Sequence, residues 1–204
     1  MAPMPYSDLT PQQKIKLLTL ARTTIQHGTQ CADPDLADFT RHQARELGIA
    51  DDELLHQPGC CFVTLHLNGK LRGCIGALTA FQPLINDVVE HAYAAAFKDY
   101  RFPPVTQEEV QTLQIDISLI SPETEIPCTS EEELLSALEP HKDGLTIRDG
   151  FRQATFLPSV WEQLPDQHDF LDQLRLKAGM PQKHWSSDFK AYRYHTLSFG
   201  EGTF

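Results

Sequence analysis

A cysteine between two glycines, beside an arginine, is the part of this sequence best suited to chemistry. Cys74 lies in the segment 71–76, which reads LRGCIG, and Arg72 precedes it by two residues. A thiolate is both a nucleophile and a metal ligand, and a nearby guanidinium stabilises it relative to the thiol. Gly73 and Gly76 leave room for a ligand, or for another stretch of backbone, to come close. The segment therefore predicts a reactive thiol or a binding crevice.

A structural explanation of the same residues stays open. Cysteine is among the most buried residue types and behaves as a small hydrophobe. Glycine in a strand often marks only a bulge or close packing. On residue types alone, packing is the more common role for a cysteine such as Cys74.

The segment follows a strong hairpin signal. The dipeptide Asn-Gly at 68–69 is typical of a type I′ turn, because both central residues of that turn need positive φ. With a two-residue loop, Leu65 is predicted to pair with Arg72, and Val63 with Cys74. Since side chains alternate between the two faces of a strand, Arg72 and Cys74 are predicted to share a face.

Few acids or bases are predicted near this thiol. In the same register His66 lies on the face opposite Cys74, which disfavours a pair between them unless a bulge intervenes. Glu90 and His91 lie in the middle of a predicted helix. An acid or base there would be useful to a thiol, although most such side chains simply face water.

A second candidate binding residue lies at a rigid corner. Arg101 belongs to the segment 99–104, DYRFPP, in which the double proline ends the preceding helix. A guanidinium fixed there is suited to binding a carboxylate or phosphate group. A pair with Asp99 explains its position equally well.

Helix caps, turn dipeptides and apolar spacing predict the elements that hold these residues. Helices are predicted from Thr10 to Gly28, over 35–47, from Pro83 onward as the longest helix, after Thr106 and Ser130, and over 159–164 and 166–177. Strands are predicted in hairpins over 60–75 and 144–157, and at 115–119 and 189–197. Because the strands come mainly as hairpins, the predicted fold class is α+β, with largely antiparallel sheets flanked by helices.

The composition is that of an ordinary globular chain with an acidic surface. The net charge of -11 comes from 28 acidic and 17 basic side chains, which disfavours binding to nucleic acid or anionic lipid. No apolar run approaches the roughly 20 residues that span a bilayer, and the first residues lack the features of a signal peptide. We therefore expect a cytoplasmic protein that does not bind membranes.

The cysteines argue against disulfides and against a metal site. Five cysteines are an odd number without Cys-x-x-Cys spacing, as expected for thiols that stay reduced. Cys60 and Cys61 are adjacent, so their side chains point to opposite faces of a strand and do not easily share a metal. No His-Glu-x-x-His motif occurs among the nine histidines. The sequence therefore predicts no metal site and no cofactor.

Several motifs, in order along the chain, resemble the AMMECR-type domain family. They are the segment 71–76 with its preceding strand and turn, DYRFPPV at 99–105, LISP at 119–122, FLPSVWEQLP at 156–165 and KAG at 177–179. The resemblance covers residues 10–198 and implies a single domain with two unequal subdomains. No linker rich in glycine, serine or proline marks a boundary between them.

The resemblance also implies partners. Prokaryotic members of the family resemble protein A of the AmmeMemoRadiSam grouping, in which this domain occurs beside, or fused to, a Memo-like domain and a radical S-adenosylmethionine (radical SAM) protein. This chain lacks the three-cysteine motif of a radical SAM enzyme, so such an enzyme is expected to be a partner. Many members have a cysteine where this chain has Arg175, so a two-cysteine mechanism does not carry over.

Two functions follow from these observations. The first is a binding or partner component with a cleft around 71–76, whose predicted binding residues are Arg72, Gly73, Ile75, Gly76 and Arg101. The alternative is an enzyme in which Arg72 activates Cys74 as the nucleophile toward a small substrate. Binding is favoured, because a nucleophile without a visible base is incomplete. Action on RNA is a third and less favoured function, since the chain is acidic and lacks an aromatic-basic recognition pattern.

Overall fold

Two four-stranded antiparallel sheets, each packed against helices, form the framework of the chain. They are described by a computed structural model that covers residues 9–31 and 33–203. Each sheet lies mainly in its own unit. The described residues through Ile120 and those from Leu197 onward form the larger unit, and Ser121–Thr196 form the smaller one. The predicted α+β class is confirmed.

The elements follow one another as strands, helices and two short 3₁₀ segments. The strands are β1 (Pro58–Gly59), β2 (Cys61–Leu67), β3 (Lys70–Gly76), β4 (Gln82–Pro83), β5 (Leu113–Ile120), β6 (Thr124–Ile126), β7 (Gly144–Asp149), β8 (Arg152–Phe156), β9 (Lys190–Tyr194) and β10 (Thr196–Gly200). The helices are α1 (Pro11–Gln30), α2 (Leu36–Glu46), α3 (Leu84–Phe97), α4 (Gln107–Val110), α5 (Glu131–Ala137) and α6 (Gln167–Lys177), with 3₁₀ turns at Pro158–Glu162 and Glu201–Thr203. None of the helices in the described ranges is both long and apolar enough to cross a membrane.

Helix α1 begins as predicted but continues past its predicted end. Thr10 and Gln13 form a capping box, in which the Gln13 backbone N–H donates to Thr10 Oγ1 and the Gln13 side chain accepts from the Thr10 N–H. Gly28 lies inside the helix. A Cβ at this position would lie 2.3 Å from the ring of Phe97. Glycine is therefore needed here for the close approach of α3, and does not end the helix.

Helix α3 is central to the core of the larger unit. It contacts β2 and β3 of the sheet and also α1 and α2, so it packs on two sides. It is not the longest helix, since it has 14 residues and α1 has 20. The sheet and α3 are in close contact at Gly73, where a Cβ would lie 2.1 Å from the carbonyl oxygen of Ala95.

The turn of the β2–β3 hairpin is formed as predicted. Asn68 and Gly69 have φ angles of 52° and 73°, which are typical of a type I′ turn. Leu67 pairs with Lys70 across it.

A β-bulge then shifts the register of this hairpin. Arg72 has no partner in the ladder with β2, and Cys74 pairs with Thr64, not with Val63. One extra residue moves every later side chain of β3 to the other face relative to β2. The predicted register is therefore wrong from Arg72 onward.

The smaller unit is built around Trp161. Its sheet has the strand order β6-β9-β7-β8. The Trp161 ring stacks on Phe170 with ring centroids 3.7 Å apart, and the indole N–H donates to the carbonyl oxygen of Asp143 at 2.8 Å. The predicted hairpin turn at Gly150, with a φ of 59°, and the predicted helix after Asp166 are both formed.

The single strand predicted at 189–197 is two strands. β9 pairs with β6 and β7, whereas β10 pairs with β5 in the other sheet. Between them the His195 N–H donates to Ser121 Oγ at 2.9 Å, and the Ser121 N–H donates to the His195 carbonyl oxygen at 2.9 Å. The break depends on partners distant in the sequence, so local residue pattern did not predict it.

Gly73→Ala is expected to lower the free energy of unfolding by about 1–3 kcal/mol, because the added methyl group overlaps the Ala95 carbonyl oxygen. Urea denaturation followed by circular dichroism measures the change. Gly202→Ala is the control, because a Cβ at Gly202 meets nothing within 4 Å. Equal unfolding midpoints for the two variants would contradict the close contact.

Candidate functional site

The bulge puts Cys74 on the same face of the larger unit's sheet as three polar side chains of β2 and β5. Cys74 pairs with Thr64, and Thr64 pairs on its other side with Asp116 of β5. His66 lies two residues from Thr64 along β2, so it shares the same face. We call these four residues the thiol cluster, and the side of the sheet that carries them, away from α3, the outer face. Cys74 and His66, predicted to lie on opposite faces, lie on the same one.

Hydrogen bonds link the thiol cluster in two pairs. Thr64 Oγ1 donates to Cys74 Sγ at 3.4 Å. His66 Nδ1 lies 3.1 Å from Asp116 Oδ2. A carboxylate beside Nδ1 selects the tautomer with its proton there and leaves Nε2 as a proton acceptor. No hydrogen bond to Nε2 occurs within the described part of the chain. The cluster thus contains a thiol, a base and a group that orients the base.

Asp99 and Arg101 hold the backbone of Cys74. The Cys74 N–H donates to Asp99 Oδ2 at 2.9 Å, and Arg101 Nη2 donates to the Cys74 carbonyl oxygen at 3.1 Å. Arg101 also donates to both carboxylate oxygens of Asp99, at 2.8 and 2.6 Å. Because β3 is an edge strand, the two side chains take the place of a neighbouring strand's backbone.

The Asp99–Arg101 pair is ionised. The hydrogen bond that Arg101 donates to Asp99 holds the pKa of Asp99 well below its usual range, although burial raises it. The hydrogen bond from the Cys74 N–H lowers the pKa further. Asp99 in turn raises the pKa of Arg101 above its ordinary value. The Arg101 side chain is 44% exposed, and among the described residues no acceptor bonds to its Nη1. That nitrogen can therefore bind an anionic group.

The predicted contact between Arg72 and Cys74 is not formed. The Arg72 guanidinium donates to both carboxylate oxygens of Glu109 at 2.9 Å, and to the carbonyl oxygens of Pro103 and Pro104 at 2.9 and 3.3 Å. None of these bonds reaches Cys74. The prediction assumed a regular hairpin, and the bulge removes that premise. The guanidinium that contacts Cys74 is that of Arg101.

The remaining predicted binding residues pack against the protein itself. Gly73 lies against the backbone of α3. A Cβ at Gly76 would lie 2.4 Å from the ring of Phe62 and 2.5 Å from the carbonyl oxygen of Cys61. Ile75 is partly buried against the core of the larger unit. Both glycines thus permit close packing, and their role in ligand binding stays a prediction.

A second cluster lies on the α3 side of the same sheet. Cys61, Asp87 and His91 are buried, and their potential ligand atoms all lie within 4.8 Å of one another. Asp87 Oδ2 accepts from the Cys61 backbone N–H at 2.8 Å and lies 3.0 Å from His91 Nδ1. Burial, together with the Asp87 carboxylate, raises the pKa of the Cys61 thiol well above its usual value. His91 therefore does lie near a thiol, but that thiol is Cys61.

Sequence reasoning singled out Cys74 and Arg101 and missed the rest of the thiol cluster. Thr64 and Asp116 were not identified, and His66 was disfavoured, because the assumed register was one residue out. The one available signal was glycine inside a strand, which often accompanies a bulge. It does not specify which residue becomes the extra one.

Proteins of similar sequence and structure cover most of the chain. Protein MJ0810 of Methanocaldococcus jannaschii is 37% identical over 153 residues, which are 73% of this chain and 76% of that protein. A protein of Methanothermobacter thermautotrophicus is 29% identical over 202 residues, covering 97% and 99% of the two chains. The crystal structure of the uncharacterized protein PH0010 from Pyrococcus horikoshii matches with a TM-score of 0.72 and 29% identity, over 92% of this chain and 90% of that one.

A family model agrees with these similarities. The model described as AMMECR1 matches residues 18–199, which include the thiol cluster, the Asp99–Arg101 pair and both sheets. The match extends over far more than half of the sequence. The chain therefore belongs to the AMMECR1 family.

Proposed function

We propose that this protein is a cysteine-dependent enzyme, or the catalytic component of one, that acts on a small anionic substrate through Cys74. The observation that carries this proposal is the imidazole of His66, oriented by Asp116 on the face that also holds Cys74. The sequence alone favours a binding role because it offers no base beside the thiol. The oriented imidazole supplies such a base and supports the catalytic alternative.

The spacing of the thiol cluster suits a substrate between its members. His66 lies on a diagonal from Cys74 across β2 and β3. Diagonal neighbours in an antiparallel pair lie about 7–8 Å apart, which leaves room for a substrate atom between the two side chains. The Thr64 hydroxyl donates a hydrogen bond to Sγ. A thiolate has no proton and can only accept hydrogen bonds, so this bond would stabilise it.

The reaction class that fits these groups is addition of a thiol to an electrophilic carbon. The S–H bond of Cys74 breaks and its proton goes to His66 Nε2, while the sulfur forms a bond to the carbon of a C=O or similar double bond, whose π electron pair moves to the oxygen or other attached atom. Asp116 stabilises the imidazolium that results. When the S–C bond later breaks, the same imidazolium returns the proton.

Arg101 favours a substrate that carries a negative charge. Its guanidinium is fixed by Asp99 and by the carbonyl oxygen of Cys74, and its Nη1 is available to an acceptor. A fixed guanidinium binds a carboxylate or phosphate well, because little conformational freedom is lost on binding. We therefore assign Arg101 to an anionic group of the substrate.

A partner role is the second candidate and has separate support in exposed apolar side chains. Tyr100, between Asp99 and Arg101 in the chain, is 95% exposed, and Phe81 and Leu71 are 68% and 43% exposed. Aromatic side chains are enriched in protein interaction surfaces, and Tyr100 lies in the chain between the two residues that hold the backbone of Cys74. The family resemblance implies a Memo-like protein or a radical SAM protein as the partner. Docking at these side chains is compatible with chemistry at Cys74.

The first test is the alkylation rate of Cys74. We expect iodoacetamide at pH 7 to modify Cys74 faster than Cys128, whose thiol pKa is raised by burial. His66→Gln is expected to slow the reaction of Cys74 by at least about tenfold, because its proton acceptor is lost. Peptide mass spectrometry after timed quenching gives the rate for each cysteine.

His42→Gln is the matched control for this test, because His42 is an exposed histidine of the same unit. It should leave the Cys74 rate unchanged. If His66→Gln has the circular dichroism of the wild type and Cys74 still reacts at the wild-type rate, His66 is not the base that activates Cys74.

Asp99→Asn is expected to lower the free energy of unfolding by about 2 kcal/mol at pH 7, because charge-assisted hydrogen bonds of a buried carboxylate are lost. The folded pKa of Asp99 lies below its unfolded value of about 3.9. Its contribution is therefore fully present above about pH 4 and is lost as the pH falls toward the folded pKa.

Urea unfolding at several pH values measures this contribution. The difference between wild type and Asp99→Asn should shrink below about pH 3, and the exposed Asp51→Asn should show no difference at any pH. A difference that stays constant with pH would mean that Asp99 does not act through its charge.

Tyr100→Ala tests the partner role. We expect purified Memo-like or radical SAM protein from the same genome to bind the wild type, and Tyr100→Ala to weaken that binding by about tenfold or more. Isothermal titration calorimetry measures the affinity. Phe151→Ala is the control, because Phe151 is 96% exposed in the smaller unit. Cys74→Ala should retain binding, and failure of both proteins to bind the wild type would exclude this role.

A further inference from the structure

We infer that Cys61, Asp87 and His91 form a binding site for a divalent metal ion of the zinc class, separate from the thiol cluster. The inference does not depend on the proposed function of Cys74. It rests on the types of the three side chains, their mutual distances and the charge that a metal would balance.

The three residues come together from two elements. Asp87 and His91 are four residues apart on α3, a spacing that puts both side chains on the same side of a helix. Cys61 lies at the start of β2, and its backbone N–H donates to Asp87 Oδ2 at 2.8 Å. The potential ligand atoms already lie within 4.8 Å of one another. Ligand atoms around a tetrahedral zinc lie roughly 3.3–3.8 Å apart, so a small closure completes the site.

The donor set matches the preferences of zinc. A thiolate, an imidazole and a carboxylate are its three usual protein ligands, and three such ligands leave a fourth position for water. With Cys61 and Asp87 as anions and His91 neutral, a divalent ion makes the buried group electrically neutral. Neutrality matters because all three side chains are buried, where an uncompensated charge is costly.

In the metal-free protein, the protons of the Cys61 thiol and the His91 imidazole take the place of the metal. Asp87 Oδ2 lies 3.0 Å from His91 Nδ1, and burial together with the Asp87 carboxylate raises the pKa of the Cys61 thiol. On binding, the Cys61 S–H proton is released to solvent, and the imidazole proton moves from Nδ1 to Nε2. The metal then forms bonds to Sγ, Nδ1 and a carboxylate oxygen, with release of about one proton per ion.

An outer set of contacts orients the carboxylate and connects it to the surface. Gln82 Nε2 lies 3.4 Å from Asp87 Oδ1 and 2.7 Å from Glu90 Oε2, and it donates to both. Gln82 and Glu90 also line a surface cavity of about 300 Å³ beside α3. Ligating carboxylates are commonly held by such second contacts. Gln82 thus connects the wall of the cavity, where Glu90 is exposed, to the buried carboxylate of Asp87.

Cobalt(II) is the probe for the test, because a cysteine sulfur bound to it gives a charge-transfer absorption band. The full-length protein is kept reduced, stripped with a chelator and titrated with Co²⁺. We expect one equivalent to bind with a sulfur-to-cobalt band, and one equivalent of Zn²⁺ to abolish the band. Cys61→Ala should lose the band, and His91→Gln should weaken binding by at least about 100-fold.

Cys128→Ala and Cys74→Ala are the matched controls and should retain the band at full strength. Absence of a sulfur-to-cobalt band in the wild type, or a band that persists in Cys61→Ala, would overturn the inference. If Cys61→Ala does not fold, as judged by circular dichroism, His91→Gln decides the matter. Unweakened Co²⁺ binding by folded His91→Gln would overturn the inference as well. Alkylation of Cys74 is measured separately, in the metal-free protein. A negative result for metal binding therefore does not contradict the proposed enzymatic role of Cys74.

Discussion

The extra residue in β3, Arg72, determines which side chains of this strand lie on each face of the sheet in the larger unit. Its guanidinium is held by both carboxylate oxygens of Glu109, and this hydrogen bonding lowers the pKa of Glu109. Glu109 also accepts from the Thr106 N–H at the start of α4, so the bulge and a helix cap share one carboxylate. Without the bulge, β3 would turn Cys74 toward α3 and Gly73 away from it. The place of the thiol on the outer face and the contact between Gly73 and Ala95 therefore both depend on the bulge.

One sheet separates two thiols with different surroundings. Cys74, on the outer face, accepts a hydrogen bond from a hydroxyl and has an oriented imidazole on the same face. Cys61, on the α3 side, is buried against a carboxylate, which raises its pKa and keeps it protonated unless a cation replaces the proton. The difference arises from side-chain alternation along β2, which points Thr64 and His66 outward and Cys61 inward, and from the bulge, which puts Cys74 on the outer face. Reagents that detect free thiols should therefore distinguish the two faces.

Local features of the fold were predictable from the sequence, and features set by distant partners were not. The caps at Thr10 and Thr106 and the turn at 68–69 depend on residues within one turn of chain, and all of them formed as predicted. The bulged residue, Arg72, bonds to Glu109, which is 37 residues away in the chain. The break at His195 depends in the same way on Ser121. Residue type was enough to single out Cys74, but its neighbours followed only once the pairing of three strands was known.

The Asp99–Arg101 pair has a further consequence for assembly. Exposed edge strands recruit other strands, either from a binding peptide or from a second copy of the chain. At Cys74 the N–H and the carbonyl oxygen of the β3 edge are already bonded to a carboxylate and a guanidinium. Strand addition at this point would have to break an ion pair first. The edge beside the thiol is thus closed to β-augmentation and to edge-to-edge aggregation, although Cys74 itself is only partly buried.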